Sequence, residues 1–339
     1  VQRTLADTHD CLMLDLDGTV CRGSEPTDGA VDALARVPGR KLFVTNNASR
    51  SVRDVEDRLH AMGIAGSAAD IATSGQSAAR ILATRFAPRS RILVLGTVAL
   101  VDEICRAGLT AVRTFREEPI AVVQGHSPLT GWADLKEAVW AIRAGAPWIV
   151  TNMDMTLPTE HGLVPGNGSM AAALRAACGV DPEVVGKPAP VLYRDALARG
   201  TFHRPLVVGD RLDTDIAGAN AAGLPSLLVL TGVSSAADIL RASPAERPTH
   251  IARNLSGIND PVNQGVIGPQ TAWNVKTDST GITISSTGVD PSRDGLSIIR
   301  AAADEIWRSG VPPEAVSLHP GDATAHLALQ QWSVELTEG

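Results

Sequence analysis

Cys11-Leu12-Met13-Leu14-Asp15-Leu16-Asp17-Gly18-Thr19-Val20 is the stretch from which the fold is worked outward. The apolar run Cys11–Leu14 has the character of a strand buried on both faces, as in parallel sheets. It breaks into two aspartates, a glycine and a threonine. In open α/β sheets, ligands collect at the carboxyl ends of strands. Asp15 and Asp17 therefore stand where two carboxylates can converge on one small site. Taken alone, Asp-Gly is also an ordinary turn signature, so the choice rests on the remainder of the chain.

Downstream the pattern repeats. Spacing of Ala30, Val31, Leu34 and Ala35 predicts a helix over 28–37, closed by Pro38-Gly39. Lys41-Leu42-Phe43-Val44-Thr45-Asn46-Asn47 reads as a second strand with a polar tip, and Ser51 as the N-cap of a helix over 52–62. Backbone N–H groups at a helix entrance suit an anion. Thr45, Asn46 and Asn47 equally fit plain loop and cap chemistry. Strands over 91–96, 120–125 and 148–152, with helices over 98–107 and 134–144, extend the alternation into a second α/β unit. The polar segment 152–169 reads as a long irregular loop, a type of segment that is usually functional. Its Asn152, Asp154, Thr156 and His161 are candidates to face a ligand. A turn cap for Asp154 and a solvated loop position for His161 are the plainer readings.

Val184-Val185-Gly186-Lys187-Pro188 sets a lysine in a rigid frame ahead of a helix over 191–199. Then Pro205-Leu206-Val207-Val208-Gly209-Asp210 ends a further apolar strand in an acid, and Asp213 and Asp215 follow within five residues. A helix over 216–222 and a strand over 227–230 come next. Carboxylates clustered at a strand tip suit a hard cation such as Mg²⁺, which prefers oxygen ligands. Asp213 and Asp215 also fit as acids at a helix N-terminus.

Asp15-x-Asp17-Gly18-Thr19, Thr45-Asn46-Asn47, Gly186-Lys187-Pro188 and Gly209-Asp210-x-x-x-Thr214-Asp215 stand in this order along the chain. Together they resemble motifs I to IV of the haloacid dehalogenase-like (HAD) superfamily of phosphoryl-transfer hydrolases, in its NagD-like, type IIA branch. The resemblance covers roughly the first three quarters of the chain. It implies an α/β fold: a Rossmann-like HAD core over 1–78 and 182–255, with an inserted α/β cap of the C2 type over 79–181. It also implies roles. Asp15 is the nucleophile, Asp17 the general acid and base, and Lys187 the charge-balancing cation. Thr45, Asn46 and Asn47 hold phosphate, and Asn152 and Asp154 meet the substrate. Mg²⁺ is expected on Asp15, the Asp17 backbone carbonyl and Asp210, with Asp215 orienting a metal-bound water or Lys187 from behind; Asp213 receives no role. An acid two residues after the nucleophile favours ester hydrolysis or a phosphomutase over dehalogenation. A large cap disfavours a protein-sized substrate.

Residues 256–269 read as a linker. Beyond it, a hairpin of strands over 272–277 and 282–286 around 278–281, a helix over 295–308, a strand over 316–318 and a helix over 323–332 outline a small α+β domain over 262–339. This region is similar to the truncated acetyltransferase-like piece fused to some bacterial glycerol-phosphate phosphatases. The similarity favours glycerol 3-phosphate as substrate, with phosphoglycolate or pyridoxal phosphate as alternatives. A regulatory protein with a CoA-sensing C-terminal domain is the less favoured reading, because no Gly-rich pyrophosphate loop is present. A piece this small holds only a marginal core alone, so docking on the phosphatase or on a second subunit is expected. Trp273, Trp307 and Trp332 are the expected anchors.

Composition narrows the partners. Among 339 residues the formal net charge is −7, with one Tyr and six Trp, which offers neither a basic face nor stacking platforms for nucleic acid. No apolar run reaches membrane-spanning length. Cys11, Cys21, Cys105 and Cys178 are scattered without a C-x-x-C pair, which fits free thiols in a reducing compartment. With no leader ahead of Val1, a cytoplasmic protein acting on a small phosphorylated metabolite is expected. The cap is the candidate surface for a homodimer.

Overall fold

The computed structural model describes residues 2–159, 161–278, 281–310, 312 and 316–334. The chain divides into two compact units. One comprises residues 1–42, 62–65 and 201–339, and the other residues 43–61 and 66–200.

The first unit is built on parallel strands. Cys11–Leu14 pairs with Pro205–Gly209, which pairs with Ser226–Val229, which pairs with His250–Ala252. Every residue of Cys11–Leu14 and of Ser226–Val229 is buried. This is what a continuous apolar run requires of a parallel strand covered on both faces. Parallel register brings the carboxyl ends of Cys11–Leu14 and Pro205–Gly209 side by side, with Leu14 opposite Val208. Asp15 and Asp210 thus emerge from adjacent strand tips.

The C-terminal region belongs to the same unit. Its hairpin, Trp273–Asp278 and Gly281–Ser286, is antiparallel, and Leu318–Pro320 joins the second strand in parallel. The turn residues Ser279 and Thr280 lie outside the described residues. The helices Ser297–Ser309 and Ala323–Gln330 complete the α+β layer. Its apolar side chains do not form a core of their own. Ile282, Ile298 and Ile299 share one buried cluster with Ile216, Ile239 and Ile251. Burial of that common surface supplies what so small a piece lacks alone.

A buried ion pair reinforces the join. Arg300, only 1% exposed, donates through Nη2 to the Ile251 carbonyl at 3.0 Å and pairs with the Asp294 carboxylate. Burial works against the charge of Asp294, but hydrogen bonds from Arg300 and Ser292 outweigh it and hold its pKa below the usual carboxylate value. Trp273 and Trp332 also anchor here: the Trp273 ring N–H donates to Ser297 Oγ at 2.9 Å, and Arg253 lies 5.0 Å over the Trp332 ring. Arg247 lies 5.2 Å over the Trp307 ring.

The stretch expected as a linker is packed. Ile258 is buried, Asn259 Nδ2 donates to the Ala33 carbonyl at 3.0 Å, and Val262 N–H donates to the Arg3 carbonyl at 3.1 Å. Its Gly, Asn and Pro residues shape turns, while Ile258 and Ile267 pack it against the unit.

The second unit holds a five-stranded parallel sheet in the order Glu183–Val184, Trp148–Val150, Ala121–Gln124, Arg91–Leu95, Thr110–Val112. Alternate residues feed opposite faces, as the pleat dictates. Ile92, Val94, Ala121, Val123 and Ile149 pack with the helices Ser74–Arg85 and Val98–Arg106. Leu93, Leu95, Val122, Trp148 and Val150 pack with Trp132–Arg143 and Asn167–Cys178. Phe43–Thr45 pairs with Ile71–Thr73 in the same unit.

Two features depart from the sequence reading here. The segment expected as irregular loop contains an antiparallel hairpin, Thr156–Thr159 with Gly162–Pro165, turning near Gly162 at φ +108°. Asn167–Cys178 is a full helix, and Gly179 closes it at φ +70° in the left-handed conformation that favours glycine.

Candidate active site

In the first unit, the structure gathers carboxylates. Oxygens of Asp15, Asp210 and Asp215 lie within 4.8 Å of one another. Asp15 continues the strand register, its N–H donating to the Val208 carbonyl at 2.9 Å. Asp210 is fully buried, and its carboxylate is held on both oxygens. Thr19 Oγ1 donates to Oδ1 at 3.1 Å, and the Val233 N–H donates to Oδ2 at 2.8 Å. Asp215 is 1% exposed and sits in the π-helical turn Leu212–Ile216, where its Oδ2 accepts from the Arg211 N–H at 3.1 Å. Like charges crowded this closely repel, and a cation relieves them. An all-oxygen donor set fits a hard divalent ion.

Asp17 stands apart from that group. Its side chain is exposed at the mouth of the turn, where Gly18 takes φ +98° and donates its N–H to the Cys21 carbonyl at 2.8 Å. A side-chain carbon on Gly18 would fall 2.5 Å from Asp210 Oδ2. Glycine is required there both by conformation and by space. Asp213 is exposed and paired with Arg211, Oδ2 to Nη2 at 2.7 Å; the structure gives it no place in the carboxylate group.

The second unit holds the hydroxyl and amide residues. Thr45 is buried at its strand tip, and its Oγ1 accepts from the Asn47 N–H at 3.1 Å. Asn47 Oδ1 accepts from the N–H and the hydroxyl of Ser49 at 2.8 and 2.7 Å. The Asn46 amide closes on the backbone of the lysine: Oδ1 accepts from the Lys187 N–H at 2.8 Å and Nδ2 donates to its carbonyl at 3.2 Å. A side-chain carbon on Gly186 would run into Asn46 Oδ1 at 2.6 Å, so the Gly-Lys-Pro frame needs its glycine. Lys187 is 2% exposed, and its peptide bond to Pro188 is cis.

Asn152 is also committed within this unit. Its Nδ2 donates to the Asn46 carbonyl at 2.8 Å and its Oδ1 accepts from the Asp154 N–H at 3.2 Å. The structure therefore gives Asn152 the task of bracing Asn46. Asp154 lies partly buried before the hairpin that contains Thr156, and His161 is exposed beside its turn.

Sequence reasoning missed three contributors: Val233, whose N–H carries no side-chain signal; Ser74, whose hydroxyl donates to the Asn46 carbonyl at 2.6 Å; and the Asn46–Lys187 link. Thr19 was visible in the Asp-Gly-Thr string, but its hold on Asp210 spans 191 positions of sequence.

A Rossmann-like α/β core with carboxylates at adjacent strand tips defines a hydrolase of the class that binds a hard cation beside an anionic substrate. The chain belongs to the haloacid dehalogenase-like hydrolase family. Residues 12–110 match that family, residues 184–258 match its HAD-hydrolase-like relative, and residues 270–334 match the GCN5-related N-acetyltransferase like domain.

The chain is 51% identical over 339 residues to a D-glycerol 3-phosphate phosphatase of Mycobacterium tuberculosis, covering 98% of this chain and 96% of that one. It is 34% identical over 254 residues to a 5′-nucleotidase of Bacillus subtilis, covering 74% and 97% of the two chains. Among solved structures it resembles the glycerol phosphate phosphatase of M. tuberculosis in complex with magnesium, at a TM-score of 0.95 over 99% of this chain and 100% of that one. It also resembles a 4-nitrophenylphosphatase from Thermotoga maritima at 31% identity and a TM-score of 0.70, over 77% of this chain and all of that one. Among the described residues no helix is long and apolar enough to cross a membrane.

Proposed function

We propose that this chain is a Mg²⁺-dependent phosphatase that hydrolyses glycerol 3-phosphate through an aspartyl-phosphate on Asp15. The observation that carries the reading is the convergence of Asp15, Asp210 and Asp215 in a chain 51% identical along 98% of its length to a D-glycerol 3-phosphate phosphatase.

The residues divide the work. Asp15 and Asp210, with the backbone carbonyl of Asp17, would hold Mg²⁺, and Asp215 stands close enough to act directly or to orient a ligand. Bound there, the ion supplies charge neutralisation and polarisation of the phosphoryl group. Asp15 forms an O–P bond as the ester O–P bond breaks. Asp17, protonated, gives its proton to the departing alkoxide. As a carboxylate it then takes a proton from the water that attacks phosphorus and releases phosphate and free Asp15. Thr45, with donors of the Asn46–Asn47 backbone, is assigned to the phosphoryl oxygens. Lys187 is assigned to balance their charge. Asp154 is assigned to the alcohol portion of the substrate, with the segment 79–181 acting as the cap. The substrate is a small phosphorylated metabolite; the absence of a nucleic-acid partner and of a membrane span, cytoplasmic location and a dimer through the cap belong to the same reading.

Phosphate release from glycerol 3-phosphate, phosphoglycolate, pyridoxal phosphate and nucleoside monophosphates, with Mg²⁺ and with chelator, tests it. The reading expects glycerol 3-phosphate to give the highest kcat/KM and chelator to abolish release. Brisk turnover of pyridoxal phosphate or a nucleotide with none of glycerol 3-phosphate overturns the substrate assignment.

A further inference from the structure

The strand Ser226–Val229 runs into Leu230-Thr231-Gly232-Val233-Ser234. In the structure this segment wraps Asp210. Thr231 Oγ1 donates to the Gly18 carbonyl at 2.7 Å, and the Thr231 carbonyl accepts from Arg22 through Nε at 2.8 Å and through Nη2. Gly232 passes so near that a side-chain carbon on it would overlap the Asp210 carboxylate. The Val233 N–H then donates to Asp210 Oδ2 at 2.8 Å, and the Ser234 N–H to the Asp210 carbonyl at 3.1 Å. Ser234 Oγ accepts from the Leu212 N–H at 3.0 Å, which fastens the far end.

A carboxylate held on both oxygens does not swing freely. The direction in which Asp210 faces Asp15 and Asp215 is set by Thr19 on one oxygen and by this segment on the other. The Thr231 hydroxyl in turn pins the segment to the Gly18 carbonyl of the nucleophile turn, and Arg22, just beyond that turn, holds the Thr231 carbonyl. We infer that Thr231 is a positioning residue, whose hydroxyl keeps the Val233 N–H on Asp210 and so orients that carboxylate for the divalent cation before the cation arrives. The inference rests on the proposed role of Asp15 and Asp210 as cation ligands. Its physical basis is preorganisation: a ligand oriented during folding loses less freedom when the ion binds.

Groups that orient metal ligands typically contribute about 10–100-fold to metal affinity. Thr231 acts one step further out, through the Val233 amide, so an effect of about three- to tenfold is expected, the size of a single net hydrogen bond. Thr231→Val removes the hydroxyl at nearly constant shape, and Thr231→Ser keeps it.

The experiment measures Mg²⁺ binding to the full chain without substrate, by calorimetry and by the Mg²⁺-dependent rise in melting temperature. Half-saturating Mg²⁺ for turnover and kcat at saturating Mg²⁺ are measured alongside. Thr231→Val should weaken Mg²⁺ by about three- to tenfold, with kcat at saturation falling by less than the affinity does, and Thr231→Ser should restore binding. Arg22→Ala, at an exposed side chain, should shift Mg²⁺ affinity in the same direction by loosening the Thr231 carbonyl.

Wild-type Mg²⁺ affinity in Thr231→Val overturns the inference, as does equal loss in Thr231→Val and Thr231→Ser. Should Thr231→Val not be recovered folded, wild-type affinity in Arg22→Ala overturns it. Asp210→Asn separates this from the underlying reading: undiminished Mg²⁺ binding in that variant overturns the assigned cation site itself.

Discussion

The Asp210 carboxylate occupies the space that a side chain on Gly232 would need. Substitution there cannot be absorbed by a flexible side-chain end, because the obstructing group is a buried acid of the candidate site. Overpacking of a close-fitted site costs about 1–3 kcal/mol, equivalent to roughly 5- to 150-fold in an equilibrium. Gly232→Ala should therefore raise the Mg²⁺ concentration needed for half-maximal phosphate release by at least about fivefold. A titration showing wild-type Mg²⁺ dependence would remove Gly232 from the account.

Asn46 offers a second test. Its amide is paired in both directions with the Lys187 backbone, so its first effect is on where the lysine stands. Misplacing a catalytic group by about 1 Å costs on the order of a hundredfold. Asn46→Ala should lower kcat/KM by that order. Asn46→Asp, which keeps the acceptor for the Lys187 N–H, should fall between it and the wild type. Steady-state kinetics decides, and equal activity in all three would show that Lys187 is placed without Asn46.

How much of this was legible in the sequence follows from the range of the forces involved. Asp15, Asp17 and Asp210 could be read because each sits where an apolar strand breaks, and strand periodicity is local. Parallel pairing of Leu14 with Val208 then brings two of those tips together, which only the fold can do. Asn46 and Asn152 looked like ligand-facing polar residues, because a sequence cannot show that their amides are already engaged with Lys187 and Asn46. Val233 was invisible, since its contribution is a backbone N–H. The hairpin at 156–165 escaped because its turn and polar residues give no clean alternation. The packed stretch at 256–269 escaped because Ile258 and Ile267, nine residues apart, are too few to mark burial among Gly, Asn and Pro. The C-terminal elements were readable by pattern, but their shared core with Ile216 and Ile239 was not.

The buried Arg300 predicts a stability effect. Arg300→Ala leaves the Asp294 carboxylate and the Ile251 carbonyl without that partner in a dry setting. Breaking one side of a buried pair costs about 3–5 kcal/mol. Urea unfolding should show a loss of that order. The double substitution Arg300→Met with Asp294→Ala should recover part of it, because the unpaired charge goes with the acid. A loss below about 1 kcal/mol in Arg300→Ala would mean the C-terminal layer is held by apolar burial alone.

His250 gives the pH dependence. Burial, with the nearby positive charges of His9 and Arg300, pushes its pKa down from 6.5 to about 4, against a smaller opposing hydrogen bond. The folded state therefore favours the neutral ring, and the unfolded state binds the extra proton between pH 6.5 and about 4. Stability contributed by this group is fully present above pH 6.5 and declines as pH falls through that window, by roughly 3 kcal/mol at most. Asp260, whose carboxyl is pushed up by burial and by Asp294, acts with the opposite sign. His250→Gln should flatten the wild-type decline in melting temperature between pH 6.5 and 4. An identical pH profile in the variant would show that His250 does not titrate in that window.

The claim at the centre of the account is that Asp15 carries the phosphoryl group. It is tested most directly with Asp17→Asn and 4-nitrophenyl phosphate, a substrate whose leaving group departs without a proton. The acid is then dispensable for the first step and missing for the second, so the intermediate should accumulate. Acid-quenched mass spectrometry during turnover should find one phosphoryl group on the peptide containing Asp15, and none in Asp15→Asn. Steady phosphate release with no phosphorylated peptide, or undiminished release from Asp15→Asn, would contradict the account.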